Sequence, residues 1–411
     1  MATSEPLKQA SEPPGATGHA PRAVLFLTVF IDLLGFGIVI PFLPMFARRL
    51  GVGAPGVGLI LSTYSLAQLI FAPILGSISD RAGRRPIIML GLFGSSIGYL
   101  TYGFANSFLA LIASRAIHGV CAATVPTAQA YIADTTQDAE RARGMGLIGA
   151  AFGLGFVLGP ALGGVLGHSS LRAPGFFASA LTFGNLIFAA LWLPESHRPD
   201  RSSRIDVAGA VARLVALPRA MAAHRLARLF AIAFLLTFAL AALEATFALM
   251  VPLVYGYGPA GIGGLLAFAG LGQALAQGYL VGKVVPRTGE VVLSRIGLVA
   301  LAAGMLPLGS LESHAALWIF LGLLSLGYGL ASPSVASLIS RSTGRDQQGE
   351  VMGVNQSALS LARIFGPVAG GLVYQWFGPA APYFGGAVVA LAGLLLTHGI
   401  EARSTQAIRG D

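Results

Sequence analysis

The chain has 411 residues, of which 55% are hydrophobic and only 10% are charged, and its formal net charge is +9. Soluble domains carry about 25% charged residues, so this composition excludes a soluble globular protein. The basic residues recur in short groups between apolar segments, which excludes a nucleic-acid-binding face, and the single cysteine, Cys121, excludes an intramolecular disulfide.

Residues 1–21 are polar and rich in Pro, Gly and Ala, and we expect them to form a disordered cytoplasmic tail. Twelve apolar segments follow, each long enough to cross a hydrocarbon layer about 30 Å thick. The predicted spans are 22–47, 56–79, 84–104, 107–133, 140–168, 173–194, 225–254, 259–285, 291–310, 314–340, 348–377 and 380–400. The sequence therefore predicts an all-α integral membrane protein with twelve transmembrane helices in two six-helix, pseudo-symmetric halves.

The two predicted halves are residues 22–194 and residues 225–400. Residues 195–224 between them have the charge and length of a cytoplasmic linker. The alternative for the middle of this linker is a short amphipathic helix on the membrane surface. We expect residues 401–411 to form a second cytoplasmic tail.

The distribution of Lys and Arg predicts how the spans are oriented. Of the 26 basic residues, twenty-one fall on the side of the chain termini, and two, Arg115 and Arg363, lie within spans. The remaining three, Arg48, Arg49 and Arg172, fall on the opposite side. Cytoplasmic loops of membrane proteins are enriched in basic residues. We therefore expect both termini in the cytoplasm of a multi-pass plasma-membrane protein, in the bacterial inner membrane.

Motifs recur at a nearly fixed offset in the two halves. "GPALGG" at 159–164 returns as "GPVAGG" at 366–371, an offset of 207 that also carries Pro126 onto Pro333. Gln68 and Gln273 correspond in the same way at an offset of 205. Parallel repeats of this kind are typical of transporters whose site lies at mid-membrane between the halves.

The repeated motifs place small residues four positions apart, so that helices can approach closely, and each contains a Gly-Pro step that removes a backbone hydrogen bond. Close packing alone and a hinge or seal remain two open interpretations. The residues concerned are Gly155, Gly159, Pro160, Gly163, Gly366, Pro367 and Gly370.

Three segments of the first half carry a family resemblance: "GSISDRAGRR" at 76–85, "SRAIHG" at 114–119 and "GLGFVLGPALGG" at 153–164. They resemble, in order, the loop motif after helix 2, the helix 4 arginine motif and the helix 5 antiporter motif of the major facilitator superfamily. "AYIADTTQDAERARGMG" and "LPESH" are similar to tetracycline-efflux proteins among the drug:proton antiporters. The resemblance is strong in the first half and weak in the second, and it implies a proton-coupled exporter of a drug-like molecule.

The second half departs from the tetracycline-efflux pattern. Leu301 stands where those exporters carry an acid, Gln273 stands where some carry a histidine, and Glu244 is an acid that they lack. One alternative is an organic-anion or metabolite transporter of the same fold, with Arg115 and Arg363 as anion contacts. An alternative from another class is a non-transporting membrane receptor or interaction protein.

Four ionisable side chains lie deep within the predicted spans: Asp32, Arg115, Glu244 and Arg363. Such residues are rare in membranes and usually line a cavity or a proton pathway. A carboxyl group that faces a cavity can exchange a proton, because desolvation raises its pKa and a nearby guanidinium lowers it. We predict proton coupling or substrate contact for these four residues, with Asp32 facing the central cavity and sharing the protonation with Glu244. Structural ion pairs are the alternative.

The loop at 76–85 resembles a gate that holds the cytoplasmic side closed by pairing charges with neighbouring helix ends, although a topology signal alone is the alternative. Its predicted members are Gly76, Asp80, Arg81, Gly83, Arg84 and Arg85. Polar candidates for the cavity wall, each alternatively an interhelical hydrogen bond, are Gln68, Gln273, Asn355 and Gln356. Aromatic candidates for stacking on a flat drug are Phe36, Tyr64, Phe152, Phe268 and Tyr328.

The sequence contains no Walker A loop, no close spacing of histidine ligands and no nucleophile with triad partners. We therefore expect neither an enzyme nor an ATP-driven pump, and no metal or organic cofactor, with the proton as the coupling ion. The expected partners are a small-molecule substrate, protons and the lipid bilayer, without nucleic acid. The expected functional unit is a monomer.

Overall fold

The computed structural model describes five stretches of the chain, and every regular element in them is a helix. The described residues are 19–136, 138–196, 224–342, 348–398 and 400. The predicted tail 401–411, most of the predicted tail 1–21 and nearly all of the predicted linker 195–224 lie outside the described residues.

Eight helices form the first half. They are α1 (His19–Val39), α2 (Leu43–Arg49), α3 (Ala54–Ala82), α4 (Arg84–Phe104), α5 (Phe108–Val120), α6 (Thr124–Thr135), α7 (Asp138–Ser169) and α8 (Ala173–Trp192). A 3₁₀ turn at Ile40–Phe42 joins α1 to α2, so these two helices together make the first span. The fourth predicted span, 107–133, differs from the prediction because three non-helical residues divide it into α5 and α6.

Seven helices form the second half. They are α9 (His224–Tyr255), α10 (Pro259–Leu275), α11 (Val281–Thr288), α12 (Glu290–Met305), α13 (His314–Arg341), α14 (Gln348–Phe377) and α15 (Ala381–Leu396). A π-helical turn at Ala276–Leu280 joins α10 to α11 within one span. Ten of the twelve predicted spans are long and apolar enough to cross a membrane. The other two are α12 and α15, with 16 residues each, which is about 24 Å of helix.

Small residues let the helices of each half pack at backbone distance. A β-carbon added at Gly159 on α7 would lie 2.6 Å from the Gly37 Cα on α1. The repeated motif brings two helices equally close in the second half, where a β-carbon added at Gly370 on α14 would lie 2.9 Å from the Ala242 Cα on α9. Gly159 and Gly370 therefore face their own half, which is the close packing expected of small residues four positions apart.

The two halves meet at one end of the bundle, which we call the Gly51 end after the connection between α2 and α3. Here a β-carbon added at Gly58 would lie 2.7 Å from the Pro367 carbonyl carbon, and one at Gly263 would lie 2.9 Å from the Gly164 Cα. These contacts pair α3 with α14 and α7 with α10. Because backbone meets backbone, the two halves leave no room between them at this end.

The halves are apart at the opposite end, which we call the Gly83 end after the connection between α3 and α4. Six glycines in the part of α3, α7, α10–α11 and α14 nearest this end would carry a β-carbon with nothing within 4 Å among the described residues. They are Gly76, Gly146, Gly149, Gly278, Gly282 and Gly353. Among the described residues the halves are in backbone contact at the Gly51 end, and at the Gly83 end these glycines have open space beside them.

Candidate functional site

Asp32 on α1 is buried, with 9% of the residue exposed. Ser95 on α4 and Thr124 on α6 lie near its carboxylate, but the Thr124 Oγ1 has no hydrogen-bond partner among the described residues. The Asp32 Oδ1 atom has no hydrogen-bond partner among the described residues. The predicted cavity-facing position of Asp32 therefore stays a prediction.

Arg115 on α5 is 0% exposed and forms no ion pair with Asp32. Its Nη2 donates a hydrogen bond to the Ser114 Oγ at 3.2 Å, and its Cζ lies 5.9 Å from the centroid of the Tyr99 ring. Its Nε and Nη1 have no hydrogen-bond partner among the described residues. A buried charge without a carboxylate is costly, so Arg115 is retained at the expense of stability.

His118 is a buried titratable residue that the sequence reasoning missed. Its ring centroid lies 4.7 Å from that of Tyr99 and 5.0 Å from that of Tyr64, and its Nε2 is 3.5 Å from the Tyr99 hydroxyl. Gly98 leaves the space that the His118 Cβ occupies, so α5 presses the imidazole between α3 and α4. The available signal was its position three residues after Arg115, on the same face of a helix.

Three of the predicted aromatic candidates belong to one cluster in the first half. The ring centroids of Phe36 and Tyr64 are 5.6 Å apart, and Phe156 lies 6.1 Å from Phe36 and 6.2 Å from Phe152. The other two candidates lie in the second half. Phe268 packs on Trp318, and Tyr328 packs against the hydrophobic core.

The acid of the second half, Glu244, has a different environment from Asp32. It is the one exposed residue between Ala241 and Val251 on α9, although it lies at mid-span. Arg363 on α14 is exposed too, and it is close enough to act electrostatically on Glu244 and, across the halves, on Tyr64. Charges that face one another in the middle of a bundle line an interior space rather than lipid.

The predicted polar wall residues divide between the two halves. Gln68 on α3 donates its Nε2 to the Ala122 carbonyl and to the Tyr64 hydroxyl, both at 3.4 Å. Its counterpart Gln273 is half-buried on α10.

On α14, Gln356 is exposed on the same face as Arg363, two turns away. Asn355 is buried, and its Oδ1 has no hydrogen-bond partner among the described residues. It lines a small cavity of about 40 Å³ together with Thr237 and Ser332.

The predicted gate residues are tied to their own half. The Arg84 guanidinium pairs with Asp134 at the end of α6, with Nε and Oδ2 2.8 Å apart, and with Asp80 one turn earlier. The Glu195 carboxylate accepts hydrogen bonds from the backbone N–H groups of Arg84, at 2.9 Å, and of Arg85, at 3.3 Å. Because Glu195 follows α8, these contacts hold α3, α4, α6 and α8 together at the Gly83 end.

The other predicted gate residues lie at the turn or at the surface. Gly83 has φ 104°, a left-handed conformation, and a β-carbon there would lie 2.8 Å from the Glu195 carboxyl carbon. Arg85 donates to the Ala190 carbonyl, while Asp80 and Arg81 are exposed. All of these contacts stay within the first half, so among the described residues they do not lock the two halves together in this conformation.

The second half repeats the gate with opposite charges. Its turn residue is Gly289, with φ 78°, and the residue after it is Glu290 on α12. Glu290 pairs with Arg341 at the end of α13 and accepts a hydrogen bond from Ser337 at 3.3 Å. The turn glycines Gly83 and Gly289 place Arg84 and Glu290 in equivalent positions, and the offset of 207 carries Asp134 onto Arg341, so the same pair is built with its signs reversed.

Comparison with protein families and curated proteins gives consistent results. A family model described as Major Facilitator Superfamily matches residues 25–367. Multidrug resistance protein 1 of Bacillus subtilis (strain 168) is 29% identical over 375 residues, which cover 91% of this chain and 94% of that protein. The class C tetracycline resistance protein of Escherichia coli is 32% identical over 354 residues, which cover 85% of this chain and 89% of that protein.

Comparison with solved structures gives a similar whole-chain match. The crystal structure of the human organic anion transporter MFSD10 (TETRAN) superposes with a TM-score of 0.69 at 29% sequence identity. The match covers 94% of this chain and 100% of that chain.

Proposed function

The chain belongs to the Major Facilitator Superfamily, and on this premise we propose that it is a proton-coupled antiporter that exports a drug-like, partly apolar small molecule. It is a transporter rather than an enzyme, and it has multidrug and tetracycline resistance proteins among its relatives. Alternating access between the two halves would carry the substrate across the membrane. The proton would be the coupling ion, and a monomer would suffice because one chain supplies both halves.

The observation that carries the proposal is the set of ionisable groups at mid-span. Asp32 and Arg115 are buried in the first half without pairing with each other, and Glu244 and Arg363 are exposed at mid-span in the second half. A purely structural role would favour close, satisfied ion pairs, because unpaired charges in a membrane protein are costly. Acids that keep free oxygens can instead exchange protons during transport.

The conformation suits loading of substrate from the cytoplasm. The excess of basic residues at the Gly83 end supports a cytoplasmic position for that end. With the Gly51 end closed by backbone contacts between the described residues, the proposed substrate path opens toward the Gly83 end. In the proposed cycle Glu244 meets cytoplasmic water in this state, and the aromatic cluster of Phe36, Tyr64, Phe152 and Phe156 offers a surface for a flat substrate. The relatives support a bacterial inner membrane.

The test of the proposal is efflux in everted membrane vesicles with an imposed pH gradient. We expect tetracycline or a lipophilic cation to accumulate in wild-type vesicles and the accumulation to collapse with the gradient. Asp32→Asn and Glu244→Gln should each reduce gradient-driven accumulation by about tenfold or more, a barrier change of about 1.4 kcal/mol. Full gradient-driven accumulation by both variants would refute the assignment of these acids to proton coupling.

An organic-anion or metabolite transporter is the second candidate, and one observation favours it. Arg363 presents an exposed guanidinium to the interior space, and the structurally similar MFSD10 is an organic anion transporter. The same vesicles, given fluorescent organic anions beside tetracycline and lipophilic cations, separate the two candidates. Uptake of the anions alone, abolished by Arg363→Gln, would replace the first proposal with the second.

A further inference from the structure

The second half contains a small cavity where three of its helices meet. Its volume is about 40 Å³, and residues of α9, α13 and α14 line it. Each helix contributes one polar side chain to the lining, and these are Thr237, Ser332 and Asn355. The remaining lining residues are Ala233, Leu236, Val335, Ala336 and Leu359. The cavity therefore has a polar side chain on each of its three helical walls.

Asn355 is a buried polar residue whose hydrogen bonding is incomplete. It is more than nine-tenths buried, and its Oδ1 atom has no hydrogen-bond partner among the described residues. Thr237 on the neighbouring α9 is more than nine-tenths buried as well. A buried amide oxygen is rarely left unsatisfied, because the hydrogen bonds that it loses with water cost free energy. The cavity thus lies beside a buried group that needs a hydrogen-bond donor.

The cavity has the size and the chemistry of a water site. A buried water molecule needs about 10–15 Å³ of cavity volume and two to four polar partners. The observed volume is sufficient for about two or three water molecules, and three side chains offer hydroxyl or amide groups to them. All the lining side chains are neutral, so a metal cation here would lack the carboxylate that normally compensates a buried charge. Water is therefore the ligand that this lining favours.

The first half is apolar at the equivalent place on its helices. The offset of 207 that relates the repeated motifs carries Val125 onto Ser332 and Ile148 onto Asn355. Ile148 belongs to a buried apolar cluster with Leu25, and Val125 packs against that cluster, which we call the first-half cluster. Two of the three polar side chains of the cavity thus stand where the first half packs aliphatic ones.

The third polar side chain, Thr237, differs from the first half in the same way. The second glycine of the repeated motif faces the Ile38 carbonyl in the first half and the Ala242 carbonyl in the second, an offset of 204. This offset carries Leu33 onto Thr237, and Leu33 is a member of the first-half cluster. Because the first half completes its fold with apolar side chains at all three positions, packing alone does not require the polar ones.

We propose that Thr237, Ser332 and Asn355 form an internal water site, in which ordered water bridges α9, α13 and α14. A water molecule donates to the Asn355 amide oxygen and accepts from a hydroxyl. Glu244 lies two turns beyond Thr237 on α9, and Arg363 lies two turns beyond Asn355 on α14. The water thus joins the helices that carry the mid-span charges of the second half. Its binding goes beyond the proposed function and does not depend on it.

X-ray radiolytic footprinting of the purified full chain in detergent tests for this water. The X-rays split bound water into hydroxyl radicals, which oxidise the nearest side chains even where bulk solvent does not reach. We expect oxidation of Leu236 and Val335, two buried residues of the lining. Leu25 and Ile148, which are similarly buried in the first-half cluster, should remain unmodified. Absence of oxidation at Leu236 and Val335, or equal oxidation of all four residues, would overturn the proposal.

Substitutions in the lining test which side chains hold the water. Thr237→Val removes a hydroxyl, keeps the shape of the side chain and should lower the oxidation of the two lining residues. The matched control is Thr246→Val, also on α9, whose buried hydroxyl donates to the Ala242 carbonyl at 2.9 Å within its own helix. This control should keep oxidation at the wild-type level.

Asn355→Ile gives the second half the residue that the first half has at this position, and it should abolish the oxidation of the two lining residues. If this variant does not accumulate in the membrane, Thr237→Val decides, because valine is close in shape to threonine. Wild-type oxidation in every lining variant that folds would show that these side chains do not hold the water, which overturns the proposal.

A hydrated monovalent cation is the other occupant that the same measurement detects. Oxidation that is equal in sodium chloride and in choline chloride supports water as the ligand. Oxidation that requires sodium would assign the site to the cation and overturn the proposal. Efflux from everted vesicles is measured separately, so a failure of proton coupling leaves the water site standing, and a dry cavity leaves the proposed function standing.

Discussion

Pro126 and Pro333 occupy equivalent positions in the two halves, yet the chain is interrupted before Pro126 and runs as a continuous helix through Pro333. In the first half Gln68 donates to the carbonyl that Pro126 leaves free. In the second half the equivalent residue, Gln273, packs its backbone against Gly329, four residues before Pro333. A proline thus removes a hydrogen bond, but whether the helix separates depends on what a neighbouring helix offers to the freed carbonyl.

The acid and the gate arginine are both more buried in the first half than in the second. Asp32 is buried, whereas Glu244 is exposed at mid-span. The Arg84 side chain is 10% exposed and the Arg341 side chain is 70% exposed, so the arginine of the first-half gate pair is buried while that of the second-half pair contacts water; the acids Asp134 and Glu290 are 24% and 14% exposed. The first half therefore concentrates desolvated charge, and the second half presents its charge to water.

Replacement of the buried arginine should give the largest functional effect of this difference. Arg115→Met keeps much of the side-chain volume and removes a buried charge that has no carboxylate partner. We expect efflux to fall about tenfold or more, while the midpoint of thermal unfolding in detergent stays the same or rises, because no partner is left unpaired. The control Arg363→Met removes an exposed charge and should leave unfolding unchanged. Efflux at the wild-type rate in Arg115→Met would remove the functional distinction between the halves.

Neutralisation of the gate acids should give the next largest effect. Asp134→Asn weakens the partner of the buried Arg84 guanidinium and should lower the free energy of unfolding by about 1–3 kcal/mol. Glu290→Gln weakens the pair to the exposed Arg341 and should cost less than about 1 kcal/mol. Thermal unfolding of both variants in the same detergent measures the contrast. Equal losses would mean that burial of the first-half pair has no energetic consequence.

Substitution of the turn glycines should give the smallest difference between the two halves. Gly83 and Gly289 both have left-handed φ values, but a β-carbon at Gly83 would contact Glu195 and one at Gly289 would contact nothing within 4 Å. Gly289→Ala should cost about 1–2 kcal/mol from backbone strain alone. Gly83→Ala should cost about 1 kcal/mol more, because it displaces the carboxylate that receives the N–H groups of α4. Thermal unfolding of the two variants tests this order, and a smaller loss for Gly83→Ala would contradict it.

Much of the fold follows from the sequence, because lipid forces every backbone hydrogen bond into regular structure. Apolar length located the spans, and the repeated "GPALGG" and "GPVAGG" motifs related the two halves. The interruption at residues 121–123 was not predicted, since the fourth and tenth spans carry equivalent prolines. It depends on the contact between Gln68 and Ala122, which are 54 residues apart in the chain.

The sequence predicted which residues form the candidate site better than it predicted their positions and surroundings. Asp32, Arg115, Glu244 and Arg363 stand out in sequence because charge is rare within apolar spans. Their exposure could not be predicted, because it depends on which neighbours lie beside each helix face. His118 was not predicted, because a single histidine within a short motif forms no recognisable sequence pattern. Only the structure shows that aromatic rings of α3 and α4 surround it.

The closure at the Gly51 end consists of glycine and proline backbone, at Gly58 against Pro367 and at Gly263 against Gly164. Such a contact contains no side-chain chemistry that a cargo could match or mismatch. Recognition is thereby separated from closure: residues that line the interior can change under selection while the seal keeps its shape. A transporter built in this way can acquire new substrates through substitutions at mid-span without having to evolve a new gate.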